Sequence, residues 1–272
     1  MSPVQAIVLA LVQAVTEFLP ISSSGHLILI PHLLGWPDQG LSFDIATNTG
    51  TLLAVVAYFR RDLAEILRAL AADPRAWRPE AAPAARLGWH LAIGTLPAVA
   101  VGLAIHGWVA QAGRDPLLVA CNLIAYGLLL LWADRRARQE RTEADLTWKT
   151  ALLVGAAQSL ALVPGTSRSG ITLTALLLLG LTRPAAARYA FLLAVPVGIL
   201  AEAKDLAGHL LGGAPPVLDG FAVPLLAVAV SAVAGYLVIA WLLAWLRRRS
   251  LAVFVAYRVA FGVALLAFAL RG

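Results

Sequence analysis

Glu17-Phe-Leu-Pro-Ile-Ser-Ser-Ser-Gly-His26 lies inside an apolar region that runs from about residue 4 to residue 34. It places a carboxylate, three hydroxyls and an imidazole at membrane depth, where ionisable groups are costly and mark function by default. Pro20 and the Ser22–Gly25 run also interrupt the helix that the flanking residues would form. The half before the break, about 5–19, and the half after it, about 24–34, are each short for a span, and together they are too long for one. The expectation is a re-entrant helical hairpin, tolerated because its irregular backbone lines a polar cavity.

The rest of the chain has the composition of a membrane protein. Of its 272 residues, 60% are hydrophobic and 13% charged, against about 45–50% and about 25% in soluble domains; the mean hydropathy is +0.82. The fold class this predicts is an all-α polytopic membrane protein. The net charge of +6 and the pI near 10.1 invite a nucleic-acid reading. The Lys and Arg, however, fall between apolar runs as they do in cytoplasmic loops, so no nucleic-acid partner is expected. Cys121 is the single cysteine, which excludes an intramolecular disulfide or a cysteine metal cluster; within its apolar run it reads as a packing residue. No Lys or Arg precedes Arg60, so the N-terminus lacks the basic region of a secretory signal and is expected to be retained.

Six full spans are expected, at 41–59, 87–109, 117–133, 184–201, 221–246 and 251–270. Trp89 and Trp108 sit near the two ends of 87–109 as interfacial anchors, and Gly113-Arg-Asp-Pro116 reads as a turn. Arg183 and Arg188 read as anchors too, with Arg188 deep enough to reach lipid phosphates. Residues 60–86, carrying six Arg, and the basic run from Arg135 to Lys149 read as cytoplasmic loops, whereas 202–220, with Glu202, Asp205 and Asp219, reads as external. Residues 150–181 repeat the broken pattern, interrupted at Pro164–Gly170. Taking 150–181 as a second re-entrant hairpin keeps every basic loop, Arg247–Arg249 included, on the cytoplasmic side and both termini outside.

The two breaks share one ungapped register. Gln13 and Gln158, Ser22 and Ser167, Ser24 and Ser169, and Gly25 and Gly170 all lie 145 residues apart. Three spans separate the hairpins, so the repeats are expected to be inverted, with the site near the midplane where the broken helices meet. The whole chain, 1–272, is read as one integral membrane domain: repeat 1 at about 4–110, repeat 2 at about 150–246, and the spans 117–133 and 251–270 outside both.

Ser-x-Ser-Gly after a turn is an N-cap signal, which starts the second half-helices near Ser24 and Ser169. Helix N-termini present unpaired N–H groups and the positive dipole end to anions. With the forked donors of Arg168 they predict a phosphate cradle. Gln13 shares a helical face with Glu17. A structural ion pair of Glu17 with Arg168 or Arg258 is the plain alternative, and Thr47, Asn48 and Thr49 either line the cavity or bond between helices. Glu17, His26 and the hydroxyls supply the nucleophile, proton carrier and charge stabilisation that phosphoryl transfer needs, with Ser22, Ser23, Ser24 and His26 all open as nucleophile. Mg²⁺ binds through one or two carboxylates plus substrate phosphates, so metal-assisted hydrolysis of a phosphate ester or anhydride fits.

Gln13-x-x-x-Glu17-Phe-Leu-Pro-Ile-Ser-Ser-Ser-Gly-His26 and Pro164-Gly-Thr-Ser-Arg-Ser-Gly170 resemble the two signatures of the undecaprenyl-diphosphate phosphatase family, the bacitracin-resistance proteins. Thr95-Leu-Pro-Ala98, Phe191-Leu-Leu-Ala-Val-Pro196 and Tyr257-Arg258 extend the likeness over essentially the whole chain. The resemblance implies an enzyme of the bacterial inner membrane, with its site opening externally. It would hydrolyse undecaprenyl diphosphate to undecaprenyl phosphate and inorganic phosphate, recycling the lipid carrier for peptidoglycan, and overproduction would confer bacitracin resistance. It also implies a divalent cation, Mg²⁺ (favoured) or Ca²⁺, held near Glu17 and Gln13. Ser23 and His26 become the catalytic candidates beside Glu17 and Arg168. Ser22, Ser24, Gly25, Ser167, Ser169, Gly170 and Thr172 join Gln13 around the substrate. The lipid and the bilayer are the expected partners; the sequence leaves the oligomeric state open, a homodimer among the options. Gln13 at the first acidic position and Asn48 in place of a common Gln are departures, and the former weakens a two-carboxylate metal site. The rival reading is a transporter or flippase for a phosphorylated lipid carrier or small anion, since inverted repeats with broken helices are a transporter pattern.

Overall fold

In a computed structural model of the chain, residues 1–37, 39–73, 75, 81–105, 115–211 and 222–270 are described. The regular elements are helical throughout: α1 (Pro3–Phe18), α2 (Ser23–Leu33), α3 (Leu41–Tyr58), α4 (Arg60–Ala72), α5 (Pro83–Ala104), α6 (Pro116–Arg136), α7 (Trp148–Ser159), α8 (Arg168–Leu178), α9 (Arg183–Leu211), α10 (Ala222–Leu246) and α11 (Ala252–Ala269). Five of these, α5, α6, α9, α10 and α11, are long and apolar enough to cross a membrane, which makes this a multi-pass membrane protein. The expected span at 41–59 is present as α3 but lies outside that set; it carries Asp44, Thr47, Asn48, Thr49 and Thr51. Large apolar side chains such as Leu96, Leu103, Leu225, Val233 and Leu237 stand exposed on the surface, the inverse of a water-soluble protein and the pattern lipid contact requires.

The broken helices are as short as their sequences suggest. At about 1.5 Å per residue, α1, with 16 residues, reaches about 24 Å, and α2 and α8, with 11 each, reach about 17 Å, all below the roughly 30 Å hydrocarbon core. The first arms pack crosswise. α1 lies against α10, and α7 lies against α5, so each first arm leans on a late span of the opposite half. Small residues permit the approach. A Cβ on Gly155 of α7 would fall 2.2 Å from the Gly94 carbonyl oxygen of α5, and one on Gly50 of α3 would fall 2.5 Å from that of Val228 in α10. α6 touches both second arms and pairs with α11. α9 forms the centre: apart from Arg188, every residue from Ala185 to Val195 is buried.

Several expectations need correction. Residues 60–72 are an amphipathic helix rather than loop, because Leu63, Ile66 and Leu70 recur at helical spacing and pack on the core. α9 runs on to Leu211, so Glu202 stands on a helix, not in an external loop. Cys121 is exposed on the surface of α6 rather than packed. Arg183 and Arg188 are not free anchors. Arg183 pairs at 2.5 Å with the buried Asp134, which also accepts from the Leu251 amide, while Arg188 bridges Asp62 and Glu143. Arg78, Trp108, Gly113, Arg114 and Asp219 lie outside the described residues, as does the side chain of Asp205.

Candidate active site

The 145-residue register extends into the backbone. Ser22 has φ 72° and Ser167 φ 70°, a region that side-chain-bearing residues seldom enter. In both turns this serine meets the serine two residues on, Ser22 with Ser24 at 3.1 Å and Ser167 with Ser169 at 3.2 Å. The chain breaks because Pro20 has no amide to donate and Gly165 adopts φ 86°. The new helices start at Ser23 and Arg168, one residue ahead of expectation, and Ser167 caps the second through the Gly170 amide at 3.2 Å.

The two breaks touch. Ser169 Oγ donates to the Leu19 carbonyl at 3.1 Å, and the Gly165 amide donates to Ser24 Oγ at 3.4 Å. Asn122 of α6 donates to the Pro164 carbonyl at 2.8 Å. Beneath them lies Arg258 of α11, fully buried. Its guanidinium donates to the carbonyls of Leu123, Asn122, Gly165 and Thr166 and, at 3.4 Å, Pro20. One buried cation thus ties both breaks to α6, and its charge is compensated by carbonyl dipoles.

Above the breaks opens a cavity of about 340 Å³. Glu17 and Arg168 meet across it, Nη2 to Oε1 at 2.5 Å, with side chains 13% and 31% exposed. The other Glu17 oxygen, Oε2, accepts from Ser23 Oγ at 2.7 Å and from Gln13 Nε2 at 3.3 Å. Gln13 Nε2 also donates to Asn48 Oδ1 at 2.7 Å. Glu17 therefore pairs with Arg168 and not with Arg258. Its carboxylate joins a serine hydroxyl from one hairpin to a guanidinium from the other.

Residues 6–264 match the profile of bacitracin resistance protein BacA. The chain belongs to that family. It is 51% identical to a protein of Magnetococcus marinus named undecaprenyl-diphosphatase, over 96% of this chain and 97% of the relative. It is 47% identical to the undecaprenyl-diphosphatase 2 of Stutzerimonas stutzeri, over 98% of each chain. A third relative, from Alteromonas mediterranea and also named undecaprenyl-diphosphatase, is 45% identical over 97% of both chains.

In this BacA-family chain the expected site residues divide by depth. Glu17, Ser22, Ser23, Ser24, Ser167 and Arg168 line the cavity. Gln13 sits behind Glu17, bonded to it. His26 is buried in the wall. Its Nδ1 meets the Ser22 carbonyl at 2.7 Å, its Nε2 the Tyr257 hydroxyl at 2.8 Å, and Phe261 stacks on the ring at 4.2 Å. A carbonyl only accepts, so Nδ1 carries a hydrogen. Thr172 bonds back to the Arg168 and Ser169 carbonyls within its own helix, at 2.8 and 3.2 Å. Gly25 packs against Val119 and Phe261, and a Cβ on Gly170 would come within 2.8 Å of Arg258; both serve the fit of the helices.

Three further residues of the site carried weak sequence signals. Asn48, polar within an apolar run, reaches the cavity and orients Gln13. Glu202 lines the cavity and accepts from Thr49 Oγ1 at 3.1 Å; it stands one residue past the expected span 184–201. Gln158 stood out only as the repeat partner of Gln13, and it too lines the cavity.

A divalent cation has a limited but real donor set here. Among the described residues no group of three or more His, Cys, Asp or Glu is placed to hold one. Glu17 remains as a carboxylate, and Gln13 Oε1 is a buried oxygen without a hydrogen-bond partner among the described residues. Both Glu17 oxygens are engaged, by Arg168 and by Ser23 with Gln13, and the cavity's other carboxylate, Glu202, accepts from Thr49, so a cation here would take most of its ligands from substrate phosphates and water.

Proposed function

We propose that this protein hydrolyses undecaprenyl diphosphate to undecaprenyl phosphate and inorganic phosphate, returning the lipid carrier to peptidoglycan synthesis, and that its overproduction confers bacitracin resistance. The observation that carries this reading is the Ser23 hydroxyl held at 2.7 Å on a carboxylate whose other oxygen meets Arg168. Family membership and the names of the relatives point the same way. A transporter would need the anion site but has no use for a serine poised on a base.

In the mechanism we infer, the diphosphate head enters the cavity while the prenyl chain stays among lipids. Arg168 and the N-termini of α2 and α8 bind its phosphoryl oxygens. Glu17 takes the Ser23 proton as Oγ attacks the distal phosphorus. The anhydride P–O bond breaks, and its electron pair leaves on undecaprenyl phosphate, a stable anion that needs no proton. Glu17 releases that proton to solvent. It then deprotonates a water, which attacks the phosphoserine and frees inorganic phosphate, and the proton passes to Ser23 Oγ. A cation held by Glu17, Gln13 and the diphosphate, with Mg²⁺ favoured, would neutralise phosphate charge. His26 acts through position, holding the Ser22 turn from behind. We further propose that the two hairpins enter from opposite faces of the bacterial inner membrane and that the cavity opens to the external side.

The deciding measurement is phosphate release from undecaprenyl diphosphate by purified protein, with Mg²⁺ and with chelator. Release that requires the cation and is lost in Ser23→Ala is expected. No release by the unaltered protein in Mg²⁺ overturns the assignment. Labelling of single cysteines in a Cys121→Ala background tests orientation: residues of α4 should be labelled only from the cytoplasmic side.

A further inference from the structure

Gln13 and Gln158 occupy equivalent places in the two repeats, and both are 2% exposed. Their circumstances differ at one position. Four residues after Gln13 stands Glu17, which accepts from its amide; four residues after Gln158 stands Leu162. Among the described residues, neither Nε2 nor Oε1 of Gln158 has a hydrogen-bond partner. Leaving such a group unpaired costs about 1–3 kcal/mol, and native proteins rarely leave a whole amide so without a reason. Gln158 is among the residues that line the cavity holding Glu17, Ser23 and Arg168, its amide atoms themselves shielded in the wall. Leu162 lines the same cavity and offers no acceptor. An unpaired NH₂ donor in the lining of a cavity that Arg168 shares, with no acceptor four residues on in its own repeat, suits an anion's oxygen.

Resting on the lipid-diphosphate reading above, we propose that Gln158 is a phosphate-contacting residue: its Nε2 donates to a phosphoryl oxygen of the bound diphosphate. The first repeat spends its glutamine on the base, and the second keeps its glutamine for the substrate. Gln13 thereby orients Glu17, while Gln158 and Arg168 grip the head group from the other hairpin.

The test compares Gln158→Met, which keeps length and removes both polar atoms, with the unaltered protein. The expected result is an unchanged or higher Tm in detergent, because an unpaired buried amide is gone, together with a roughly 10- to 100-fold fall in kcat/KM, the range for a hydrogen bond to a charged group. The rise in Tm produced by inorganic diphosphate should shrink in parallel. Should Gln158→Met fail to accumulate as folded protein, Gln158→Asn, which withdraws the amide by one methylene, must show the same two losses. A variant with kcat/KM within twofold of the unaltered protein and full protection by diphosphate overturns the proposal and leaves the hydrolase reading intact. If the unaltered protein releases no phosphate, the hydrolase reading fails. Protection by inorganic diphosphate then decides alone: lost in the variant, it sustains the contact; equal in both or absent from both, it ends it.

Discussion

The two hairpins share a turn and divide the chemistry. At matched positions Ser23 faces Arg168, Glu17 faces Leu162, and His26 faces Ile171, while Gln, Ser-x-Ser and Gly are common to both. Most of the shared residues build geometry: the left-handed serines and the serine pair across each turn. The residues that differ carry the reactivity proposed above. A duplicated scaffold thus brings a serine hydroxyl with its carboxylate from one copy and a guanidinium from the other to the same cavity, and neither copy alone has both.

The largest effect expected follows from that division. Ser23→Ala and Arg168→Ala should each lower kcat for phosphate release by about 10³-fold or more, the scale set by loss of a nucleophile or of an oxyanion donor. They should differ in binding. Arg168→Ala should also abolish protection by inorganic diphosphate, whereas Ser23→Ala should retain it. Equal loss of protection in both would mean that the hairpins share the grip on phosphate rather than dividing it.

The next effect concerns the residue both copies depend on. Arg258→Leu leaves carbonyls of both breaks without their donor, at a cost of about 3 kcal/mol or more. The Tm should fall sharply and activity with it. Arg258→Lys keeps the charge but not the fork, so it should recover part of the Tm. A milder probe is the pair of matched glycines. A Cβ at Gly170 meets Arg258 Nη1 at 2.8 Å, whereas one at Gly25 meets only side-chain carbons at 3.4 Å. Gly170→Ala should therefore cost about 1–3 kcal/mol, as overpacking does, and Gly25→Ala less than about 1 kcal/mol. Equal Tm values for the two would show that Arg258 shifts freely.

The halves were not equally legible in the sequence. Pro20, Ser-x-Ser-Gly and the buried Glu17 and Arg168 announce themselves because they violate an apolar background, and the structure brings Glu17, Ser23 and Arg168 together as their chemistry demands. What periodicity and composition cannot encode is which face of a helix meets which neighbour. Cys121 and Asn122 are adjacent in one apolar run, yet the first is exposed and the second holds the Pro164 turn. Span length likewise put Glu202 one residue past the expected span 184–201 and so in a loop, whereas α9 continues through it. Arg183 and Arg188 looked like lipid anchors only while Asp134, Asp62 and Glu143 were distant in sequence.

The smallest effect sharpens the one unmatched structural device. The second turn is held by its own serine, since Ser167 Oγ accepts from the Gly170 amide, and by Asn122. The first turn is held from behind by His26 on the Ser22 carbonyl, with Tyr257 fixing the other ring nitrogen at 2.8 Å. Tyr257→Phe removes one hydrogen bond and keeps the aromatic stack, so kcat should fall only about tenfold or less. The shape of the pH profile should not change, because Ser23 and Glu17 remain in place. His26→Phe also removes the bond to the Ser22 carbonyl and should fall further. If Tyr257→Phe instead displaces the pH profile, His26 exchanges protons during turnover, and the first hairpin carries a second titrating group that the second hairpin lacks.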